Sequence, residues 1–183
     1  LWSCLMFYAS YGRECMGDAS WAEMVALFLL MQTLSRTVSS FLSGLLADRY
    51  GNRLVLRILS VFLAFLPLSA AVLGRYTAAD RPWIWMPVYL MVGLLIPLMP
   101  ISHNYLLEIT PMKRHASCIG IANGLMIASA FTPLLIGFLI SLFGHTRVFL
   151  GLSILMLGGI YFSFRLGEPR FKAEPADQLP PLP

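Results

Sequence analysis

The first long apolar stretch of the sequence contains polar side chains that can bind a small charged molecule. Gln32 and Arg36 lie one helical turn apart, and Ser39, Ser40 and Ser43 continue the same polar stripe. On a membrane helix such a stripe faces protein or a water-filled cavity, and a charge at that depth is usually functional. We therefore predict that Gln32 and Arg36 contribute to a solute or coupling site, and that the serines make interhelical hydrogen bonds.

The third apolar stretch carries His103, Asn104 and Glu108 just after two prolines, Pro97 and Pro100. Proline removes a backbone donor and strains the turn before it, so this helix is predicted to kink or break. Transporters tend to build sites at broken helices. His103 is a candidate proton relay, with a hydrogen-bonded packing role as the alternative, and Asn104 is a candidate for the solute or coupling site.

The fourth apolar stretch has a small residue at every fourth position. The members of this stripe are Ala116, Gly120, Gly124, Ala128 and Thr132. A stripe of this kind lets a neighbouring helix approach closely, so helix packing is the predicted role of Gly120 and Gly124. Asn123, beside the stripe, is a further candidate for a cavity-facing position, and Pro133 and Gly137 predict a flexible point.

Composition and length identify these stretches as membrane spans. Of the 183 residues, 58% are hydrophobic and 12% are charged, against about 45–50% and about 25% in soluble domains. A span needs about 20 apolar residues. The predicted complete spans are about 21–47, 54–74, 83–109, 116–143 and 147–166. Residues 1–12 are predicted to be a truncated first helix, followed by a polar turn over 12–18, and the proline-rich residues 167–183 a disordered tail.

Other classes of function find little support in the sequence. The net charge of +4 has no block of like charge, which argues against a nucleic-acid partner. Three scattered cysteines and three histidines without metal-binding spacing indicate neither a disulfide framework nor a metal site, and we expect no cofactor. A membrane enzyme is disfavoured because neither a nucleophile–base pair nor a metal motif is present.

The link between the first two complete spans reads GLLADRYGNR from Gly44 to Arg53. So short a link forces an antiparallel hairpin whose turn sits at a membrane surface. In it Gly44 allows close helix approach, and Gly51 can take the positive φ that ends a helix. The segment closely resembles the loop signature of the major facilitator superfamily, G-x-L-A-D-R-x-G-R/K-R/K, except that Asn52 replaces the first of the final basic pair.

The resemblance implies an all-α integral membrane protein that forms half of a twelve-helix bundle, with five complete spans and one truncated helix. Five complete helices and a truncated one, followed by a cytoplasmic tail, favour the C-terminal half over the related N-terminal half. Residues 105–114 are similar to the family's E-x-x-P-x-x-R stretch after the fourth or tenth helix, which supports this assignment. The implied function is transport of an unidentified small solute by alternating access, with lipid and the other half of the transporter as partners. A non-transporting receptor or scaffold with the same fold is the alternative.

The family also implies a gate at the signature turn. By resemblance, Asp48, Arg53 and Glu108 form a charge lock that joins helices in one access state. Arg49 and Arg114 lie at the same surface. The alternative is that these charges only anchor helix ends at the lipid headgroups.

Basic residues predict the orientation, because cytoplasmic ends carry an excess of lysine and arginine. Eight lie at the signature-turn end, namely Arg49, Arg53, Arg57, Lys113, Arg114, Arg165, Arg170 and Lys172. Four lie at the opposite end, namely Arg13, Arg75, Arg81 and Arg147. The signature turn and the C-terminus are therefore predicted to be cytoplasmic, in a plasma or bacterial inner membrane.

This orientation places Arg36 near the middle of the membrane. It precedes Asp48 by twelve residues, which is about 18 Å along a helix, in a core about 30 Å thick. No acidic residue of the sequence matches that depth. Three partners stay open: an acid outside this chain, an anionic solute, or the Gly93 and Ile96 carbonyls freed by the two prolines.

Overall fold

The computed structural model describes residues 5–77 and 80–166, which form helices joined by short turns. The α-helices are α1 (Leu5–Met16), α2 (Asp18–Tyr50), α3 (Asn52–Leu73), α4 (Met86–Leu94), α5 (Leu98–Ile109), α6 (His115–Ala128), α7 (Thr132–Phe143) and α8 (His145–Arg165). Short 3₁₀ turns cover Pro82–Trp85, Met112–Arg114 and Ser129–Phe131. No strand occurs in the described ranges. Residues 1–4 and the predicted tail, 167–183, lie outside them.

Five segments are long and apolar enough to cross a membrane. They are Asp18–Tyr50, Asn52–Leu73, Pro82–Ile109, Met112–Phe143 and His145–Arg165. The prediction of an all-helical membrane protein with five complete spans is therefore confirmed. The third span is interrupted after α4, and the fourth by the 3₁₀ turn before α7.

The predicted polar turn over residues 12–18 is wrong, because α1 continues to Met16 and only Gly17 separates it from α2. Single glycines also separate α2 from α3, at Gly51, and α7 from α8, at Gly144. The φ angles of Gly17, Gly51 and Gly144 are 79°, 94° and 79°, and each ψ is extended. Almost only glycine adopts this conformation, so one residue suffices to end one helix and start the next.

Replacing Gly51 by alanine is expected to destabilise the protein by about 1–3 kcal/mol, the cost of forcing a side chain into this backbone region. The measurement is thermal unfolding of the full-length protein in detergent. Gly158→Ala is the matched control, since a Cβ there meets nothing within 4 Å. Equal stability of the two variants would contradict the strain argument.

Helix α3 lies at the centre of the bundle and packs against α2, α4, α5 and α8. Two apolar clusters hold this arrangement. The larger one is distant from the signature turn and includes Tyr11, Phe28, Leu66, Trp85, Val88, Tyr89 and Phe149. The smaller one lies next to the signature turn and consists of Ala47, Val55, Leu59 and Ile101. The signature turn is therefore fixed to α5 as well as to its own two helices.

The short helix α1 is joined to the start of α8 by polar contacts. The Tyr11 hydroxyl and the Thr146 hydroxyl are 2.9 Å apart. A Glu14 carboxylate oxygen lies 2.8 Å from Nδ1 of His145, whose ring stacks on Tyr11 with centroids 5.0 Å apart. These contacts close the end of the bundle opposite the signature turn.

Candidate functional site

Helices α2 and α4 cross with their backbones in contact at Gly93. A Cβ on Gly93 would collide with the carbonyl oxygen of Gln32 and would lie 2.8 Å from Cβ of Ser35 and 3.0 Å from the backbone nitrogen of Arg36. Only a glycine fits there without a shift of the main chain. The crossing therefore occurs at the level of the two predicted site residues, Gln32 and Arg36.

Two serines of α2 bind carbonyl groups of α4 at this crossing. The Ser35 hydroxyl donates to the Leu90 carbonyl and the Ser39 hydroxyl to the Leu94 carbonyl, both at 2.7 Å. These are the interhelical bonds predicted for the serine stripe, although Ser35 was not among the predicted donors and Ser40 is exposed. The role of Ser35 could have been predicted from its spacing, because it lies four residues before Ser39 and therefore on the same face of the helix.

Ser39 binds the carbonyl group that has no backbone partner at the break in the third span. The Leu98 amide donates to the Leu95 carbonyl at 3.1 Å instead of continuing the α-helical ladder to Leu94. The Leu94 carbonyl accepts the Ser39 hydroxyl instead. Pro97 directly precedes α5, and Pro100 lies in its first turn, where a missing amide leaves no helical bond unmade. The interruption therefore falls at Pro97 and not at Pro100.

Arg36 lies on an uncovered polar face of α2. Its side chain is exposed, as are Thr33, Thr37 and Ser40 on the same side of the helix. The Thr33 hydroxyl donates to the Leu29 carbonyl and the Thr37 hydroxyl to the Thr33 carbonyl, so both are bound to their own helix. Among the described residues the Arg36 side chain makes no hydrogen bond and no ion pair.

The carbonyl pairing considered for Arg36 is wrong for this structure. The Gly93 carbonyl accepts the Ile96 amide at 3.2 Å, and no bond joins Arg36 to either carbonyl in the part of the chain described. Half-buried Gln32 lies beside Arg36, and its Oε1 atom is enclosed without a hydrogen-bond donor. The crossing therefore leaves the Arg36 guanidinium on an open face, with the enclosed amide oxygen of Gln32 beside it.

The other solute candidates do not join Arg36. Asn104 and Asn123 are exposed on α5 and α6. His103 lines a separate cavity of about 330 Å³, bounded by α3, α5, α6 and Leu166, to which no α2 residue contributes. Its Nδ1 lies 3.1 Å from the Met99 carbonyl of its own helix. That contact fits the alternative role given for His103, a hydrogen-bonded packing residue.

Three glycines expected at close helix contacts have open space instead. A Cβ on Gly44, Gly120 or Gly124 would meet nothing within 4 Å. No described helix therefore packs closely on these three glycines, and their role in close helix packing stays a prediction. Gly137 makes only ordinary contact, with its would-be Cβ 3.7 Å from the Phe7 ring, and Pro133 lies in the first turn of α7, after the interruption in the fourth span.

The signature turn pairs with α5 through an unexpected residue. Nδ2 of Asn52 donates to Oε1 of Glu108 at 2.7 Å. Within the described ranges the exposed side chain of Asp48 makes no hydrogen bond or ion pair. The charge lock of Asp48, Arg53 and Glu108 in one access state stays a prediction. Arg53 is half-buried, and the Arg49 guanidinium lies 5.5 Å from the centroid of the Tyr50 ring. Exposed Arg114 has no ionic partner in the described chain either.

Arg57, predicted only to lie at the cytoplasmic end, closes the C-terminal end of α8. Its Nε donates to the Ser163 carbonyl at 3.2 Å and its Nη2 to the Phe164 carbonyl at 2.7 Å. The guanidinium also lies 5.1 Å from the centroid of the Phe164 ring. A cation here satisfies the carbonyls that a helix C-terminus leaves without partners. This contact ties α8 to α3.

Five apolar spans, with α3 at their centre, interruptions in the third and fourth spans and an uncovered polar face on α2, define an integral membrane bundle of helices. A family model described as the Major Facilitator Superfamily matches residues 11–181. The chain belongs to this superfamily.

Similar proteins occur in Staphylococcus aureus. In strains COL, MSSA476 and N315, proteins named "Putative proline/betaine transporter" are each 27% identical to this chain over 175 residues. The match covers 87% of this chain and 36% of each relative. The chain thus spans about a third of the length of these relatives. No solved structure matches the chain.

Proposed function

We propose that this bundle is part of a secondary active transporter that moves a small solute across a membrane by alternating access. Membership of the superfamily carries the proposal, and the transporter names of the relatives support it. No bond is made or broken in such a process. The polar face of α2, which no described residue covers, is where a second bundle and a solute would meet it.

The proposed solute carries a carboxylate group, and Arg36 is its ligand. A guanidinium matches a carboxylate in a planar, two-bond geometry. Arg36 lies beside the break in the third span and has no partner among the described residues. The relatives are named for proline and betaine, and both of these molecules carry a carboxylate.

The missing half supplies the other wall of the site in this proposal. The chain covers 36% of its relatives, which leaves room for a further bundle. The open faces at Gly44, Gly120 and Gly124 are suited to close contact with that bundle. The signature-turn charges, with Asp48 unpaired in the described chain, are proposed to complete their lock against it.

The proposed orientation, with the signature turn and C-terminus cytoplasmic, is tested by labelling of single cysteines in a cysteine-free full-length protein. Met112 and Arg81 are exposed and lie in turns at opposite ends of the bundle. A membrane-impermeant thiol reagent added to intact cells is expected to label Arg81→Cys and to spare Met112→Cys. The reverse pattern would overturn the orientation.

The function itself is tested by uptake of labelled proline and betaine into vesicles that contain the full-length protein, with and without an imposed proton or sodium gradient. Gradient-dependent uptake is the expected result. Solute binding without uptake under any gradient would instead identify a non-transporting receptor with this fold.

A further inference from the structure

Two apolar grooves open on the surface of the bundle, one on each side of α3. The α4 groove lies between α3 and Met91 of α4 and has a volume of about 410 Å³. The α8 groove lies between α3 and α8 and has a volume of about 340 Å³. Phe65 and Leu68 line both grooves, so these two side chains form the ridge that divides them. Phe65 is 51% exposed, and the ridge therefore faces out of the bundle.

The two grooves suit hydrocarbon better than a polar solute. Their lining is apolar except for Ser69 and Ser153, and both serine hydroxyls donate to carbonyl groups of their own helices. On α3 the α4 groove runs from Phe62 to Leu73, eleven positions or about 16 Å. That is about half of a hydrocarbon core about 30 Å thick, which is the depth of one leaflet.

A cation without a partner follows the ridge helix. Arg75 comes two residues after the end of α3, at the end of the bundle opposite the signature turn. Its side chain is exposed and makes no hydrogen bond or ion pair among the described residues. Arg81, exposed at the same end, lies 3.4 Å from a carboxylate oxygen of Asp80. Tyr76 and Trp83 are also exposed there, and such aromatic side chains mark the level of the lipid headgroups.

A diacyl phospholipid matches this arrangement in shape and in charge. Its two acyl chains leave a single headgroup, as the two grooves flank a single ridge helix that ends near Arg75. Its phosphate is a planar two-bond partner for a guanidinium. A chain in each groove would remove apolar surface of the protein from contact with water during folding and with disordered lipid afterwards.

We propose that α3 binds one diacyl phospholipid, with an acyl chain in each groove and the phosphate on Arg75. The bound lipid joins the ends of α3, α4 and α8 that lie opposite the signature turn. This inference does not depend on the proposed transport function, because the grooves belong to the folded bundle.

The test measures binding of phosphatidylglycerol to the full-length protein in detergent, by native mass spectrometry and by the shift in thermal unfolding. Phosphatidylglycerol with one acyl chain and inorganic phosphate are the comparison ligands. Arg75→Gln removes the cation, with ion-paired Arg81→Gln as the matched control. Ser69→Leu narrows the α4 groove and Ile154→Trp the α8 groove. Leu155→Trp is the control for the latter, since Leu155 is as exposed as Ile154 but lines neither groove.

Wild type is expected to bind one two-chain lipid more tightly than the one-chain lipid. Arg75→Gln should weaken binding about tenfold, the effect of losing one charge-assisted hydrogen bond. Each groove variant should also weaken it about tenfold, because exclusion of about two methylene groups is sufficient for that change. The two control variants should bind like wild type.

Four results would overturn the inference. Equal binding by Arg75→Gln and Arg81→Gln would remove the headgroup contact, and equal affinity for one-chain and two-chain lipid would leave only one groove occupied. Equal stabilisation by inorganic phosphate would show that an anion alone binds. Absence of bound phospholipid in wild type would show that the grooves hold no specific lipid. None of these results concerns solute uptake, so the proposed function is tested separately.

Discussion

Replacing Gly93 by alanine is expected to destabilise the protein strongly. The added methyl group would meet the Gln32 carbonyl and the Arg36 backbone nitrogen, which are main-chain atoms and cannot move aside as a side chain can. Over-packed sites typically cost about 1–3 kcal/mol, and we expect a loss near or above the upper value because α2 and α4 would have to separate. Thermal unfolding of the purified full-length protein measures it.

The control for this variant is Gly151→Ala. Gly151 also lies inside a helix, but a Cβ there meets nothing within 4 Å. It should be neutral or slightly stabilising, because alanine favours a helix over glycine by about 0.5–1 kcal/mol. If Gly93→Ala is as stable as Gly151→Ala, the two backbones are not in contact in the folded protein.

Separation of the two helices would also remove the Ser35 and Ser39 bonds to α4. The Leu94 carbonyl would then lack the partner that completes the break in the third span. Ser39→Ala removes only that bond, at a cost of about 1 kcal/mol. A Gly93→Ala effect several times larger than that of Ser39→Ala would assign the difference to backbone contact.

Replacing Arg36 by glutamine is expected to weaken solute binding by about a hundredfold, while the folded yield stays near wild type. Loss of one member of a desolvated, hydrogen-bonded charge pair costs about 2–5 kcal/mol of binding. Folding should be little affected because Arg36 has no bonded partner in the described chain. Lysine keeps the charge without the planar fork, so Arg36→Lys should be intermediate. Equilibrium binding of labelled solute and thermal unfolding separate the two effects.

Arg147→Gln is the matched control, since Arg147 is an exposed arginine near the start of α8. It should leave binding unchanged. If Arg36→Gln binds solute normally but loses thermal stability, the guanidinium is bound to an acid outside this chain and has a structural role. That outcome would exclude Arg36 as the carboxylate ligand.

Features that depend on one segment at a time could be predicted from the order of the amino acids. Long apolar runs require lipid as solvent, and this property is read from composition. Pro97 lacks a backbone donor, which predicts a break near it, although Pro67 lies inside the continuous helix α3. Gly51 tolerates a positive φ, and the structure has φ 94° there. The superfamily resemblance rests on the same turn, and the family match confirms it.

Which helices meet, and at which residues, could not be predicted before the fold was known. Gly44, Gly120 and Gly124 have the same small size as Gly93, but only Gly93 has a helix against it. Asn52 was read as a departure from the signature, and it proves to be the partner of Glu108. Such pairings depend on the rotation and register of one helix relative to another. Those quantities are set by packing of the whole bundle, and no single segment encodes them.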